Sequence, residues 1–177
     1  MRQLITFFLA IVLLGSGASA QNISDSANPT PRKDRTEIMN YLAKLPDVSV
    51  TYLTKSMLQR LPKEKAGSPL AMLVDKGGVE SIRVFQLESK EAEAGGKKLI
   101  DSYLSDISEM NYAELLMSQN NSSNEVIIYG FPIYNDISYY HTVLMYSKAV
   151  GKKAILIILK GKIHENTIGD LIDSFSK

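Results

Sequence analysis

The two histidines of this 177-residue sequence, His141 and His164, are its best-placed groups for acid–base chemistry near neutral pH. His164 lies between a predicted strand and the final predicted helix, where a histidine commonly satisfies the start of a helix. His141 follows two tyrosines at the start of a predicted strand, from which it could line a cleft. The chain has no Gly-x-Ser-x-Gly turn to present a nucleophile. We therefore predict no catalytic residue, and a hydrolase with a dispersed site is our third functional hypothesis.

Metal and phosphate sites find equally little support in the sequence. The chain has no cysteine, and its two histidines lie 23 positions apart, without the spacing of a zinc motif. The segments 95–98 (GGKK) and 151–153 (GKK) lack the upstream glycine and the following serine or threonine of a nucleotide-binding loop. The sequence predicts neither a metal nor a cofactor.

A local excess of aromatic residues is the one bias that suggests recognition. Within eighteen positions lie six aromatic residues: Tyr129, Phe131, Tyr134, Tyr139, Tyr140 and Tyr146. Tyrosines bury much area at little cost in side-chain entropy, so they suit the binding of a protein or a sugar. Tyr134, Tyr139, Tyr140 and His141, in or beside the predicted loop 132–138, are the candidate binding residues. The alternative is that these tyrosines pack in the core or pair across strands.

The first twenty residues have the pattern of an export signal. Arg2 precedes an apolar run over residues 4–14, and Ala18, Ser19 and Ala20 provide a small-residue cleavage site, which predicts cleavage between Ala20 and Gln21. The run is too short to span a bilayer as a helix, so we predict no transmembrane anchor in the mature chain. Residues 21–35 are polar and predict a flexible lead-in to one domain over 36–177.

Charge argues against one class of partner. Removal of residues 1–20 takes away one of the 20 basic residues and leaves 19 basic against 19 acidic residues. A balanced chain lacks the positive field with which proteins bind nucleic acids, so we expect no nucleic-acid partner.

Periodicity predicts alternating helices and strands. Helices are indicated near residues 38–45, 57–61, 69–76 and 89–107 and after residue 164, and strands over 48–53, 79–87, 112–118, 125–131, 140–148 and 154–160. Residues 155–159 are apolar at every position, so this strand should be central. Two glycines interrupt the fourth helix: either the helix begins later than Ser89, or Gly96 lets it lie close to the sheet, which we favour.

These elements predict a single α+β domain. Four consecutive strands joined by short turns late in the chain favour a mostly antiparallel sheet of about six strands. The helices should lie mainly on one face of that sheet.

Four segments follow one another in the order typical of a family of exported bacterial proteins. They are residues 51–58 (TYLTKSML), 79–85 (VESIRVF), 112–117 (YAELLM) and 155–163 (ILIILKGKI). By this order the chain resembles domain of unknown function 4252, common in Bacteroides-like bacteria, over about residues 37–177. The resemblance implies a periplasmic or surface location in a diderm bacterium and no known enzymatic activity.

Two further expectations come with the resemblance. Many members of the family look like lipoproteins, whereas this chain lacks the acceptor cysteine. Asp25, Ser26 and Ala27 look like the short O-glycosylation sequon of that bacterial group, which makes Ser26 a possible modification site.

The leading functional hypothesis is therefore an exported, non-catalytic interaction or sensing module of the cell envelope. Its partner would be an envelope protein or a glycan. The alternative is a small-ligand or glycan-binding protein that uses the tyrosine-rich hairpin.

Overall fold

The computed structural model of the chain describes residues 33–60, 78–105 and 113–176. Within them lie the helices α1 (Lys33–Lys44), α2 (Lys55–Leu58), α3 (Lys90–Leu104) and α4 (Glu165–Ser176). The strands are β1 (Val48–Thr54), β2 (Val79–Leu87), β3 (Glu114–Asn120), β4 (Asn124–Ile133), β5 (Asp136–Ala149) and β6 (Ala154–His164). The predicted helix over 69–76, the signal peptide with its cleavage site, and Ser26 lie outside the described residues.

The six strands form one antiparallel sheet in the order β1-β2-β6-β5-β4-β3. Strand β6 lies between β2 and β5, so the prediction of a central strand is confirmed. Its residues 155–159 are all buried, with exposed fractions of 7% or less, because both faces of the sheet are covered at this point.

Helices pack on both faces of the sheet. Helices α1 and α3 contact each other and cover an apolar face that includes Phe85, Leu144 and Leu156. Helices α2 and α4 contribute Leu58 and Ile168 to the core on the opposite face. The α+β prediction is confirmed. The two-helix layer of α1 and α3 lies on one face, and α4 adds a cover on the other because β2, β5 and β6 are apolar on both sides.

The two helices of the larger layer begin at defined points. The Ser89 side chain caps α3 by accepting a hydrogen bond from the Ala92 backbone nitrogen at 3.1 Å. Helix α1 begins at Lys33, three residues inside the predicted lead-in. The Arg35 guanidinium carbon lies 4.3 Å from the Tyr103 ring centroid, and Arg35 Nε donates to the Ser102 carbonyl at 3.2 Å. These contacts with α3 order the start of α1.

In the part of the chain that the structure describes, we find no helix with both the length and the apolar character needed to cross a membrane.

Candidate functional site

The end of the β4–β5 hairpin carries the tyrosines that the sequence analysis singled out. Strand β4 continues to Ile133 and β5 begins at Asp136, so the turn consists of Tyr134 and Asn135 alone. Asn135 has a φ of 68°, a left-handed conformation that asparagine tolerates in tight turns. The predicted loop 132–138 is therefore mostly strand, and that boundary prediction is wrong.

The pairing between these two strands is irregular at the same end. Pro132 pairs with Tyr140, whereas the next pair along β4 is Ile133 with Asp136, so residues 137–139 of β5 have no partner on β4. Proline has no amide hydrogen to donate to the ladder, which favours such a break. We call residues 133–139 the hairpin tip.

Most of the hairpin tip extends past the paired parts of the neighbouring strands that the structure describes. In the described residues, the last β3 partner of β4 is Glu114, opposite Gly130, and the last β6 partner of β5 is His164, opposite Tyr139. Three residues of β4 thus extend past β3, which corresponds to roughly 10 Å. Tyr134 and Ile137 are 62% and 72% exposed, two of the three most exposed large apolar side chains that the structure describes.

The base of the hairpin tip is held by a small network of side chains. The Tyr139 ring packs edge-on against the His164 ring, with centroids 4.9 Å apart. Lys162 Nζ lies 4.2 Å from the Tyr139 centroid and 3.1 Å from Asp136 Oδ2. His164 Nδ1 accepts a hydrogen bond from the Asn166 backbone nitrogen at 3.1 Å, so its predicted role at the start of the last helix is confirmed.

Tyr140 does not belong to this exposed surface. It is only 7% exposed, and its hydroxyl donates to Glu114 Oε2 at 2.9 Å. Its ring packs in the core on the side of α4. The structure thus places Tyr140 in the core, as in the packing alternative, and not on the exposed surface expected of a binding residue.

We expect Tyr140→Phe to lower the free energy of unfolding by about 1 kcal/mol, because it removes one hydrogen bond and keeps the ring. Tyr134→Ala should change it by no more than about 0.5 kcal/mol, since its side chain is in solvent. Urea unfolding of both variants measures the difference. A larger loss for Tyr134→Ala than for Tyr140→Phe would contradict this assignment.

His141 lies beside the hairpin tip but faces the protein interior. Its Nδ1 is 2.9 Å from Thr142 Oγ1, its ring centroid is 6.0 Å from that of Phe131, and its Nε2 is buried without a hydrogen-bond partner. Burial lowers the pKa of His141, and the charges of Lys160 and Arg35 lower it further. The imidazole is therefore neutral at neutral pH. Thr142 is only 4% exposed, so this pair does not present a hydroxyl to a substrate.

Among the described residues, no three or more histidine or acidic side chains converge as metal ligands would. The structure thus brings together Tyr134 and Tyr139 at the hairpin tip and separates Tyr140 and His141 from them.

A comparison with protein families shows which family the chain belongs to. The family described as domain of unknown function (DUF4252) matches residues 41–171, about three quarters of the sequence. The chain belongs to the DUF4252 family. No curated protein and no solved structure shows significant similarity to it.

Sequence reasoning missed three contributors to the hairpin tip of this DUF4252 domain. Ile137 is its most exposed apolar side chain, and its place in a short polar stretch between two strands is the signal that could have found it. Lys162 and Asp136 were missed because they meet only through the pairing of β5 with β6. No local pattern in the DUF4252 sequence encodes that contact.

Proposed function

We propose that the protein is an exported, non-enzymatic recognition module that binds a protein of the cell envelope through the hairpin tip. The observation that carries this proposal is the pair of exposed apolar side chains, Tyr134 and Ile137, at the end of a projecting hairpin. Large apolar groups at such a position gain most when a partner covers them.

The ordered base of the hairpin tip supports the same function. Asp136, Lys162, Tyr139 and His164 contact one another through an ion pair, a cation–π contact and an edge-on ring contact. A tip that is fixed before binding loses little conformational entropy when a partner docks. Tyrosine adds a hydroxyl that can hydrogen-bond at the rim of the interface.

The export signal supports a location outside the cytoplasm. The charged start, the apolar run and the small residues ending at Ala20 form the pattern that signal peptidase cleaves. The mature chain would begin at Gln21 and carry the domain into the envelope.

Binding without catalysis is supported by the two histidines. The His141 Nδ1 is engaged with a buried threonine, and the His164 Nδ1 caps the last helix. Each ring thus has a structural partner.

A pull-down with the purified mature chain tests the proposal. Three baits are compared: wild type, a hairpin variant and a matched control. The hairpin variant carries Tyr134→Ala with Ile137→Ala. The control carries Leu115→Ala with Val150→Ala, and these two side chains are 57% and 74% exposed elsewhere on the surface. We expect wild type and control to enrich the same envelope protein. The hairpin variant should bind it at least tenfold more weakly, since truncated interface anchors cost about 2 kcal/mol.

The unfolding midpoints of all three baits should agree, because the replaced side chains are exposed. Equal capture by the hairpin variant would refute the proposal. Capture that survives protease treatment of the extract but is lost after periodate oxidation would instead show that the ligand is a glycan.

A further inference from the structure

A cavity of about 160 Å³ lies between α3 and the strands β4 and β5. Two neighbouring helices, each about 10 Å wide, cover roughly four strands at 4.8 Å spacing. Since the sheet has six strands, α1 and α3 leave part of it outside their layer on the side of β4 and β3. The cavity lies at that boundary, on the flank of α3 away from α1, and the described residues leave it open on one side.

The interior of the cavity is apolar and its rim is charged. Ile100 and Leu104 of α3 face Ile127 of β4 and Leu144 of β5 across it. Lys97, Asp101 and Glu125 line the rim, where Lys97 Nζ is 3.7 Å from Glu125 Oε1. This combination of apolar walls and a few polar groups is characteristic of small-molecule sites.

A buried hydroxyl without a partner distinguishes this cavity from an ordinary packing defect. Tyr146 lines it and is only 2% exposed, yet its hydroxyl oxygen makes no hydrogen bond. Lys97 Nζ lies 5.5 Å from the centroid of its ring. Buried hydroxyls nearly always have a partner, because one without it loses the hydrogen bond that water supplied.

The protonation state of the Tyr146 phenol determines which groups could hydrogen-bond to it. Burial, followed by the charges of Glu125 and Glu93, raises the pKa of Tyr146 to about 12. The hydroxyl therefore keeps its proton at neutral pH and acts as a hydrogen-bond donor. An acceptor oxygen would therefore satisfy it.

We infer that the cavity is a binding site for a small, mostly apolar molecule that carries one acceptor oxygen. The apolar body would lie among Ile100, Ile127 and Leu144, and the oxygen would accept the hydrogen bond of Tyr146. A cavity of about 150 Å³ in another protein is large enough for benzene, so a single aromatic ring or a short aliphatic chain fits this one. The site is separate from the hairpin tip and does not depend on the function proposed for it.

Two probes of nearly the same shape test the inference. Acetophenone has a carbonyl oxygen, and α-methylstyrene has a methylene group in its place. Ligand-observed and protein-observed NMR titrations of the mature chain measure both affinities. We expect acetophenone to bind with a dissociation constant of about 0.1–1 mM, and α-methylstyrene to bind roughly fivefold to tenfold more weakly.

Two variants test whether the probes bind in this cavity. Tyr146→Phe removes only the hydrogen-bond donor, so the affinity for acetophenone should fall to that for α-methylstyrene. The unfolding midpoint of this variant should stay the same or rise. Ile127→Trp fills the cavity from a half-buried position on β4 and should abolish binding of both probes. Chemical-shift changes in wild type should centre on residues 97–104 and 144–146.

The inference is overturned if acetophenone does not bind at several millimolar. It is also overturned if both probes bind equally to wild type, or if Tyr146→Phe keeps the preference for acetophenone. Val50→Ala, at an exposed position on β1 at the other edge of the sheet, serves as the matched control and should leave both affinities unchanged.

Discussion

Gly161→Ala is expected to lower the free energy of unfolding by about 3 kcal/mol or more, the largest effect we predict for a single methyl group. Gly161 of β6 has a φ of 150°, which side chains with a Cβ rarely adopt. A Cβ at this position would lie 2.2 Å from the Gly78 carbonyl oxygen and 2.8 Å from the Glu80 backbone nitrogen. Both are backbone atoms, so no rotamer change relieves the contact.

The local pairing explains why the backbone cannot move aside. The Lys162 backbone nitrogen donates to the Gly78 carbonyl at 3.0 Å, and the register of β2 on β6 shifts between Val79 and Ser81. A displaced Gly78 would lose this bond at the entrance to β2. Thermal unfolding should show a midpoint lower by roughly 6–12 °C for a chain of this size.

Gly151→Ala separates the two causes. Gly151 has a φ of 68°, but a Cβ there meets nothing within 4 Å. Only conformational strain remains, and we expect a loss of about 1 kcal/mol. Equal losses in the two variants would show that the approach of Gly161 to Gly78 is not tight, contrary to the structure.

The strands and helices were largely predictable because most of them carry a strong local signal. The apolar run of β6 indicated a strand covered on both sides, and β2 was found with the bounds that the structure shows. Ser89 marked the start of α3 through ordinary capping chemistry. These signals are local, so a single sequence carries them.

The register of the hairpin tip was not predictable in the same way. The face on which Tyr140 lies depends on His141, which has no partner on β4 or β6 between the pairs made by Tyr140 and Thr142. Such a bulge exchanges the two faces of a strand, so the burial of Tyr140 could not be predicted from alternation, whereas Tyr134 is exposed because it lies in the turn. The aromatic excess thus contained both buried and exposed tyrosines.

The cavity at Tyr146 could not be predicted from the sequence either. Its walls come from α3, β4 and β5, and the sequence contains no motif that relates Leu104 to Ile127 or Tyr146. The Tyr146 hydroxyl without a partner is a property of the folded arrangement and is visible only in the structure. Patterns of residue type cannot record such a property.

The close packing of α3 was predicted from its paired glycines, and the structure confirms it. Both glycines lie inside α3, and a Cβ on Gly96 would lie 2.5 Å from Leu87 Cδ1. On Gly95, a Cβ would lie 2.6 Å from Leu42 Cδ2 of α1. The two missing side chains thus let α3 approach both the sheet and its neighbouring helix, which outweighs the cost of about 1 kcal/mol for each glycine in a helix.

Gly96→Leu is therefore expected to lower the free energy of unfolding by about 3 kcal/mol, because a leucine side chain must enter a fully packed layer. Ala94→Leu places the same side chain on the exposed surface of α3 and should change stability by no more than about 0.5 kcal/mol. Urea unfolding measures the free energy of unfolding of both variants, and unchanged m-values show that the two can be compared directly.

A double-mutant cycle with Leu87→Ala identifies the contact responsible. Leu87→Ala alone leaves a cavity in the core, but in the double variant the new leucine can occupy the vacated space. The loss in the double variant should then be smaller than the sum of the single losses by about 1–3 kcal/mol. If the two losses in the free energy of unfolding were additive, a residue other than Leu87 would limit the space at Gly96. The glycine would then not be required for the close contact of α3 with β2.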